Sequence, residues 1–332
     1  MKRYLAVLIS DIHFTTATLE LATYSLKAAL AKAEELNIPI VICGDTLDGK
    51  AIVRGECMNR LIEILKDAKV QVFMLVGNHD LLNEKGKAHA LNFLKPYVNV
   101  VEHAQYNTIL DTWLIPYQNS TEDMEAILKD IPKGSRIIMH QGVMGANLGH
   151  YVQDKTAIDR RAFADFRVIS GHYHNAQDIK CGRPRKGALG LFSYVGNPYT
   201  LSFAEASDGN KGYRLLVDDG LLESVPLHSR RHLILEFRYD EPWNFEGVDI
   251  EDIVWLKISG PQSELDKIKK SDVAKFLGDT SFKLDKIADD PGEVKIKADK
   301  MTEDQILDAL IDSTSEPLIQ KDYLKQLWRD II

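Results

Sequence analysis

The residues able to do chemistry in this chain fall in five short clusters. They are Asp11-Ile12-His13, Gly44-Asp45-Thr46-Leu47-Asp48, Gly77-Asn78-His79-Asp80, His140, and Gly171-His172-Tyr173-His174. Each follows an apolar run, at residues 4–9, 38–43, 70–76, 136–139 and 168–170. Such runs read as buried strands. The polar clusters therefore stand at strand carboxyl ends, where open α/β sheets receive ligands. Carboxylate oxygens suit hard divalent cations, and imidazole suits manganese, iron and zinc. Two aspartates, an asparagine and four histidines suit two transition-type ions better than magnesium alone. In Asp-x-His and His-x-His the one-residue gap turns both side chains to one side of a strand end. The chemistry this suggests is hydrolysis at phosphorus. A carboxylate bridging two ions about 4 Å apart can position the nucleophile, and both ions take up charge on the phosphoryl oxygens. A nearby imidazolium can stabilise that charge and protonate the leaving oxygen.

The elements that must position these clusters follow in order. Residues 18–35 carry Leu19, Ala22, Leu26, Ala29, Leu30 and Ala33 at helical spacing. A second helix is predicted over residues 51–66. Three strand–loop–helix units within a hundred residues imply parallel pairing with crossover connections. A third helix is expected near residues 87–94, then a more β-rich half. Its short strands are predicted at 98–101, 108–110, 113–115, 189–195 and 212–217, with a short helix at 122–129. The character changes near Arg230, because no later strand ends in a polar cluster. Strands at 233–237, 253–258 and 282–287, with a helix near 263–268, suggest a small α/β domain. Residues 302–332 read as two helices, the last with a wide apolar face (Leu324, Leu327, Trp328, Ile331, Ile332) that packs on its own domain or docks a partner.

The 332 residues suffice for one large and one smaller domain. No run approaches the roughly 20 apolar residues of a membrane span. The start, Met1-Lys2-Arg3 and a short apolar run, ends in Asp11-Ile12-His13 rather than a small-residue cleavage site, so it reads as the first strand. Three scattered cysteines, Cys43, Cys57 and Cys181, argue against a disulfide framework and fit a reducing cytoplasm. A net charge of −8 disfavours tight unaided DNA binding. It leaves a nuclease open, since bound cations would supply positive charge where phosphate must go.

The order of the five clusters resembles the calcineurin-like metallophosphoesterase superfamily, whose pattern is D-x-H, G-D-x-x-D, G-N-H-(D/E), H and G-H-x-H. The resemblance implies an α/β fold: a β-sandwich flanked by helices, then a small α/β capping domain and a C-terminal helical tail. The expected division is 1–230 for the nuclease domain, 231–298 for the cap and 299–332 for the tail. It also implies ligand roles. Asp11, His13, Asp45 and His174 would hold one ion, with Asp45 bridging. Asn78, His140 and His172 would complete the second. His79 would be the catalytic imidazole. Asp48 and Asp80 would support the ligands rather than bind the ions, with Asp48 alternatively a helix cap. The remaining histidines, His89, His103, His150, His228 and His232, match nothing and read as surface or hydrogen-bonded residues.

Two features narrow the resemblance. The Arg-Gly of the protein phosphatase branch is replaced by Gly49-Lys50 after Asp48, and Asp80 stands where that branch has Glu. The segment from Tyr194 to Glu205, Tyr-Val-Gly-Asn-Pro-Tyr-Thr-Leu-Ser-Phe-Ala-Glu, is similar to the signature of SbcD-type recombination nucleases, and Lys211-Gly212-Tyr213 follows as it does there. That likeness implies a manganese-dependent DNA nuclease for DNA repair and recombination, 3′→5′ exonucleolytic on duplex ends and endonucleolytic on single strands and hairpins. It implies a homodimer through helices within residues 51–94, and an SbcC-type coiled-coil ATPase bound by residues 302–332. The compact length is similar to that of phage-encoded members. One departure is Phe14-Thr15 in place of the small turn after the first motif. The basic cluster at 183–186 could touch phosphate or be a solvated loop. Two rivals share the fold: a phosphodiesterase or phosphatase for small substrates, and a scaffold that has lost its site. The scaffold reading requires missing ligands, and all seven are present.

Overall fold

The computed structural model describes residues 2–49, 52–83, 88–147, 157–182, 190–209 and 211–289. The chain divides into two compact units, Met1–His232 and Leu233–Ile332. In the first, β1 (Tyr4–Ile9), α1 (Leu19–Leu36), β2 (Ile40–Ile42), α2 (Gly55–Leu65), β3 (Val72–Leu75) and β4 (Asn99–Val101) alternate. The four strands pair in parallel in chain order. The continuous apolar runs of β1, β2 and β3 are buried on both faces, as parallel strands between two layers must be. The sheet is completed on the β1 side by β11 (Gly212–Val217) and β12 (Leu222–Pro226), both antiparallel to their neighbours.

A second six-stranded sheet contains β5 (Gln105–Asn107), β6 (Thr112–Ile115), β7 (Arg136–His140), β8 (Arg167–Gly171), β9 (Asp178–Lys180) and β10 (Leu191–Tyr194), with α3 (Thr121–Asp130) between β6 and β7. Its order is β5-β6-β7-β8-β10-β9. Leu8, Val41 and Leu75 of the first sheet share a core with Leu114, Ile138 and Ile169 of the second, so the sheets pack face to face. Leu26, Ala29 and Leu61 of α1 and α2 bury against the outer face of the first sheet. Met124 and Leu128 of α3 do the same for the second. The unit is thus a β-sandwich flanked by helices. Three strands of one sheet and two of the other end together at one edge, the edge that carries all five clusters.

The second unit contains β13 (His232–Arg238, all but its first residue), β14 (Ile253–Gly260), α4 (Gln262–Leu265), α5 (Lys270–Leu277) and β15 (Ser281–Ala288), with the sheet order β13-β14-β15. Val254, Leu256 and Ile258 alternate into its core with Val273 and Leu277.

Several elements differ from expectation. Residues 108–110 are a turn, and β5 lies just before them, because the Asn107 side chain accepts from the backbone N–H groups of Ile109 and Leu110 and bends the chain. The third helix shrinks to a 3-10 turn, Ala90–Leu94, capped by His89, whose ring accepts from Leu91 N–H. The single helix near 263–268 is two, separated at Lys269, whose backbone is extended. The short strands β9 and β12 were not legible as apolar runs. The tail at 302–332 and the basic cluster at 183–186 lie outside the described residues. All three cysteines are buried thiols without a disulfide. No helix among the described residues is long and apolar enough to cross a membrane.

Candidate metal centre

The loops after β1, β2, β3 and β8, with the last residue of β7, bring all seven expected ligands together. Asp11, His13 and His174 offer ligand atoms within 4.8 Å of one another, and so do Asp45, His140 and His172. Asn78 Oδ1 lies 3.0 Å from His140 Nε2 and 2.9 Å from His172 Nδ1. Asp45 Oδ2 stands between the two groups, 3.2 Å from His140 Nε2 and 4.0 Å from His13 Nε2. That position suits a bridging carboxylate.

The backbone reaches this geometry by a route that strand alternation does not describe. Asp11, His13, Asp45 and His172 all have positive φ, at 51°, 50°, 49° and 99°. L-residues enter this region at a cost of roughly 1 kcal/mol each, and such outliers gather at functional sites. Tight packing holds them there. Asp80, fully buried, accepts from the N–H groups of Leu47 and Gly77 and so ties the β2 loop to the β3 loop. Tyr199 reaches from the other side to donate to Ile12 O. The Asp11 carboxylate accepts His172 N–H at 3.1 Å and links the first strand to the last cluster. Gly77 is required by proximity, since a Cβ there would lie 2.2 Å from Asp45 N and Oδ1. Gly77→Ala is expected to displace Asp45, lower stability by about 1–3 kcal/mol and reduce bound metal. Urea unfolding and metal content of the dialysed protein check this.

The arrangement fits cations by its hydrogen bonding. His174 Nδ1 is 2.9 Å from Glu205 Oε1, and His13 Nδ1 is 3.1 Å from Asp48 Oδ1. The Glu205 hydrogen bond places the His174 ring proton on Nδ1. The Asp48 carboxylate beside His13 Nδ1, an ion-pair contact without hydrogen-bond geometry, favours the same tautomer there, which leaves lone pairs on both Nε2 atoms. Those two Nε2 atoms face each other at 3.2 Å. His140 Nδ1 likewise donates to Cys43 O at 2.7 Å, which turns its Nε2 lone pair toward Asn78 and Asp45 oxygens. Lone pairs facing lone pairs at this range need a proton or a cation between them. The mixture of imidazole nitrogen with carboxylate and amide oxygen suits transition-type divalent ions.

The charges are strongly coupled. Burial alone would raise the Asp45 carboxyl, but His140, with His13 and His79 behind it, holds it well below the usual carboxylate range. Burial alone would lower His140, yet the Asp45 charge pushes it up to about 9. His172 is lowered to about 4 by burial and by its neighbour His140. Burial and the Asp45 charge push the Asp80 carboxyl up to about 7 against its two backbone donors.

His79 sits at the rim, about one-third exposed, with Nδ1 3.2 Å from Asp48 O and 3.4 Å from Asp48 Oδ1. Its ring meets His13 edge-on at 4.9 Å. Asp48 therefore faces both rings, and α2 begins instead after Arg54. Of the other histidines, His89 bonds Glu102 and His232 bonds Thr200; His150 lies outside the described residues.

Two groups carried no role in the sequence. Tyr117 lies against His172, with ring centroids 6.0 Å apart and planes at 27°. Glu205, half-buried, aims at His174. Its carboxyl is held down at about 2: burial opposes the charge, but His174 and Lys211 outweigh it. A group depressed from its ordinary value of 4.5 contributes stability that is full above about 4.5 and lost as pH falls toward 2. In metal-free protein the urea midpoints of wild type and Glu205→Gln should therefore converge as pH drops from 5 to 3. The only sequence signal for Glu205 was its place in the Tyr194–Glu205 segment, which named a likeness without a function.

A two-metal-type constellation at the shared edge of a helix-flanked β-sandwich defines a metal-dependent phosphoester hydrolase. Residues 5–176 match the calcineurin-like phosphoesterase family, and the chain belongs to it. No curated protein matches the chain. Among solved structures, an archaeal phosphodiesterase is similar at 13% identity over 68% of this chain and 100% of its own, with a TM-score of 0.35. A Pseudomonas putida nuclease, MPE, is similar at 16% identity over 66% and 87%, with a TM-score of 0.33. GAP50, the anchor in the inner membrane complex of Plasmodium, is similar at 15% over 68% and 89%, with a TM-score of 0.34. These scores carry no information about the substrate.

Proposed function

We propose that this phosphodiesterase is a manganese-dependent DNA nuclease of the SbcD type, cutting duplex ends 3′→5′ and nicking single strands and hairpins. The observation that carries the reading is the Tyr194–Glu205 segment with its following Lys211. It is similar to the nuclease signature, and here it is built into the site through Glu205 on His174. In this reading Asp11, His13, Asp45 and His174 would hold one ion, and Asn78, His140 and His172, together with Asp45, would hold the other.

Bound divalent ions would supply Lewis-acid charge to the phosphoryl group and the attacking water. The protein supplies the rest. Asp45 and the imidazoles place that charge at one point on the sheet edge. Asp48 engages His79 on Nδ1, so Nε2 is the atom that would give a proton to the leaving oxygen. Tyr117 holds His172 by ring contact.

The test is cleavage by the purified protein, with manganese and no ATP, of end-labelled duplex and hairpin DNA against a small aryl phosphodiester. DNA cutting, stopped by chelator and restored by manganese, is the expected result. Turnover of the small ester alone would replace the nuclease with a small-substrate phosphodiesterase. The same reading places docking of an SbcC-type ATPase on residues 302–332 and homodimer contacts within residues 51–94. Deleting 302–332 is expected to abolish co-elution with a coiled-coil ATPase of that type while DNA cutting by the nuclease alone persists.

A further inference from the structure

Behind His174 lies a largely buried polar network centred on Lys211. Lys211 is buried, 8% exposed, yet its ammonium meets four oxygen acceptors. Glu205 Oε2 and Asp208 Oδ2 are each at 2.8 Å, His174 O is at 3.2 Å, and Asn197 Oδ1 is in direct contact. Asn197 in turn donates to Glu205 Oε2 at 3.0 Å. The other Glu205 oxygen, Oε1, takes His174 Nδ1. A lysine in such a place loses its hydration, and only a dense set of acceptors offsets that. Three of these four contacts are to His174, to Glu205 and to Asn197, which itself bonds Glu205; the fourth is the ion pair with Asp208.

We infer that Lys211 is a positioning residue for the candidate metal centre: through Glu205 it aims His174 Nε2 and so governs affinity for the ion that Asp11, His13 and His174 would hold. The inference rests on the metal reading above. The physical reason is a division of labour within one carboxylate. Lys211 and Asn197 anchor Oε2 and fix the plane of the group. Oε1 is then free to accept from Nδ1 alone, which selects the tautomer with its lone pair on Nε2. Lys211 also grips the His174 carbonyl, so the backbone and the ring of the same residue are held from one point. The segment from Tyr194 to Glu205, followed by Lys211, is on this view the outer support of a ligand rather than a surface for substrate.

The experiment is a calorimetric manganese titration of the metal-free protein, comparing wild type with Lys211→Met, Glu205→Gln and the double variant. Each single change is expected to weaken the tighter of the two binding events, or one of them if they are equal, by roughly 10- to 100-fold, the usual loss when an outer partner of a metal-bound histidine is removed. The double variant should lose far less than the product of the two single losses, because Lys211 acts chiefly through that carboxylate and its grip on the His174 carbonyl adds only a small part. Losses that multiply would overturn the inference, as would wild-type affinity in Lys211→Met. Should Lys211→Met alone fail to fold, the double variant set against Glu205→Gln still tests the inference, since a further large loss there would show that Lys211 acts by a route other than Glu205. A wild type that takes up no manganese would overturn the metal reading itself and this inference with it. Wild-type uptake with unchanged binding in the variants would overturn the positioning role alone.

Discussion

Replacing His79 by alanine is expected to lower phosphodiester hydrolysis by about a hundred- to ten-thousand-fold, the range for loss of a general acid, while metal content stays at the wild-type level. The separation of the two effects follows from geometry. The ring of His79 stands at the rim, and its near partners are the carbonyl and carboxylate of Asp48. It shares no oxygen with Asn78 or Asp45 through its side chain; only its backbone N–H reaches Asp45 Oδ1, at 2.8 Å. Alanine keeps that N–H, so the carboxylate remains oriented and the imidazoles behind it remain in place. Single-turnover cleavage of a labelled phosphodiester, beside metal analysis of the same preparation, checks the prediction. Parallel loss of metal and rate would make His79 a ligand instead. Substrates with a better leaving group should be hurt less, because they need the proton less.

The second large effect is expected at Asp45. Asp45→Asn should remove at least one ion and reduce hydrolysis by about a thousandfold or more, because the one carboxylate between the two groups becomes a neutral amide. The metal-free protein offers an independent reading. The elevation of His140 to about 9 comes from the Asp45 charge acting against burial. Without that charge burial prevails, and His140 should titrate below its ordinary 6.5. The sign matters for stability. A histidine raised in the folded state adds stability that is complete below about 6.5 and fades as pH climbs through about 9. Wild-type apoprotein should thus lose stability between these values, and Asp45→Asn should not. Histidine NMR titration and urea unfolding between pH 6 and 10 measure both.

What the sequence determined by itself was the chemistry and its order along the chain. Apolar runs ending in Asp, Asn and His show where strands stop and what stands at their ends, because burial on both faces demands continuous hydrophobic strands and a sheet edge tolerates polar side chains. The same logic made β1, β2, β3, β7 and β8 legible. It failed for Asp178–Lys180 and Leu222–Pro226, which lie at sheet edges, where one row of partners suffices and no apolar run is required. It also failed at residues 108–110, where a single Asn107 side chain outweighed local strand propensity.

Only the tertiary structure decided how the clusters meet. Spacing suggested that Asp11 and His13 share a side because strand residues alternate, yet both are left-handed turns held by long-range contacts. Nor could spacing reveal Glu205 and Lys211. They stand 31 and 37 residues beyond His174 and reach it because β11, which begins just after Lys211, pairs with β1 at the heart of the first sheet. A ligand's identity is a property of one side chain and is written locally. Its aim is a property of the atoms packed behind it, and those come together only when distant strands join one sheet.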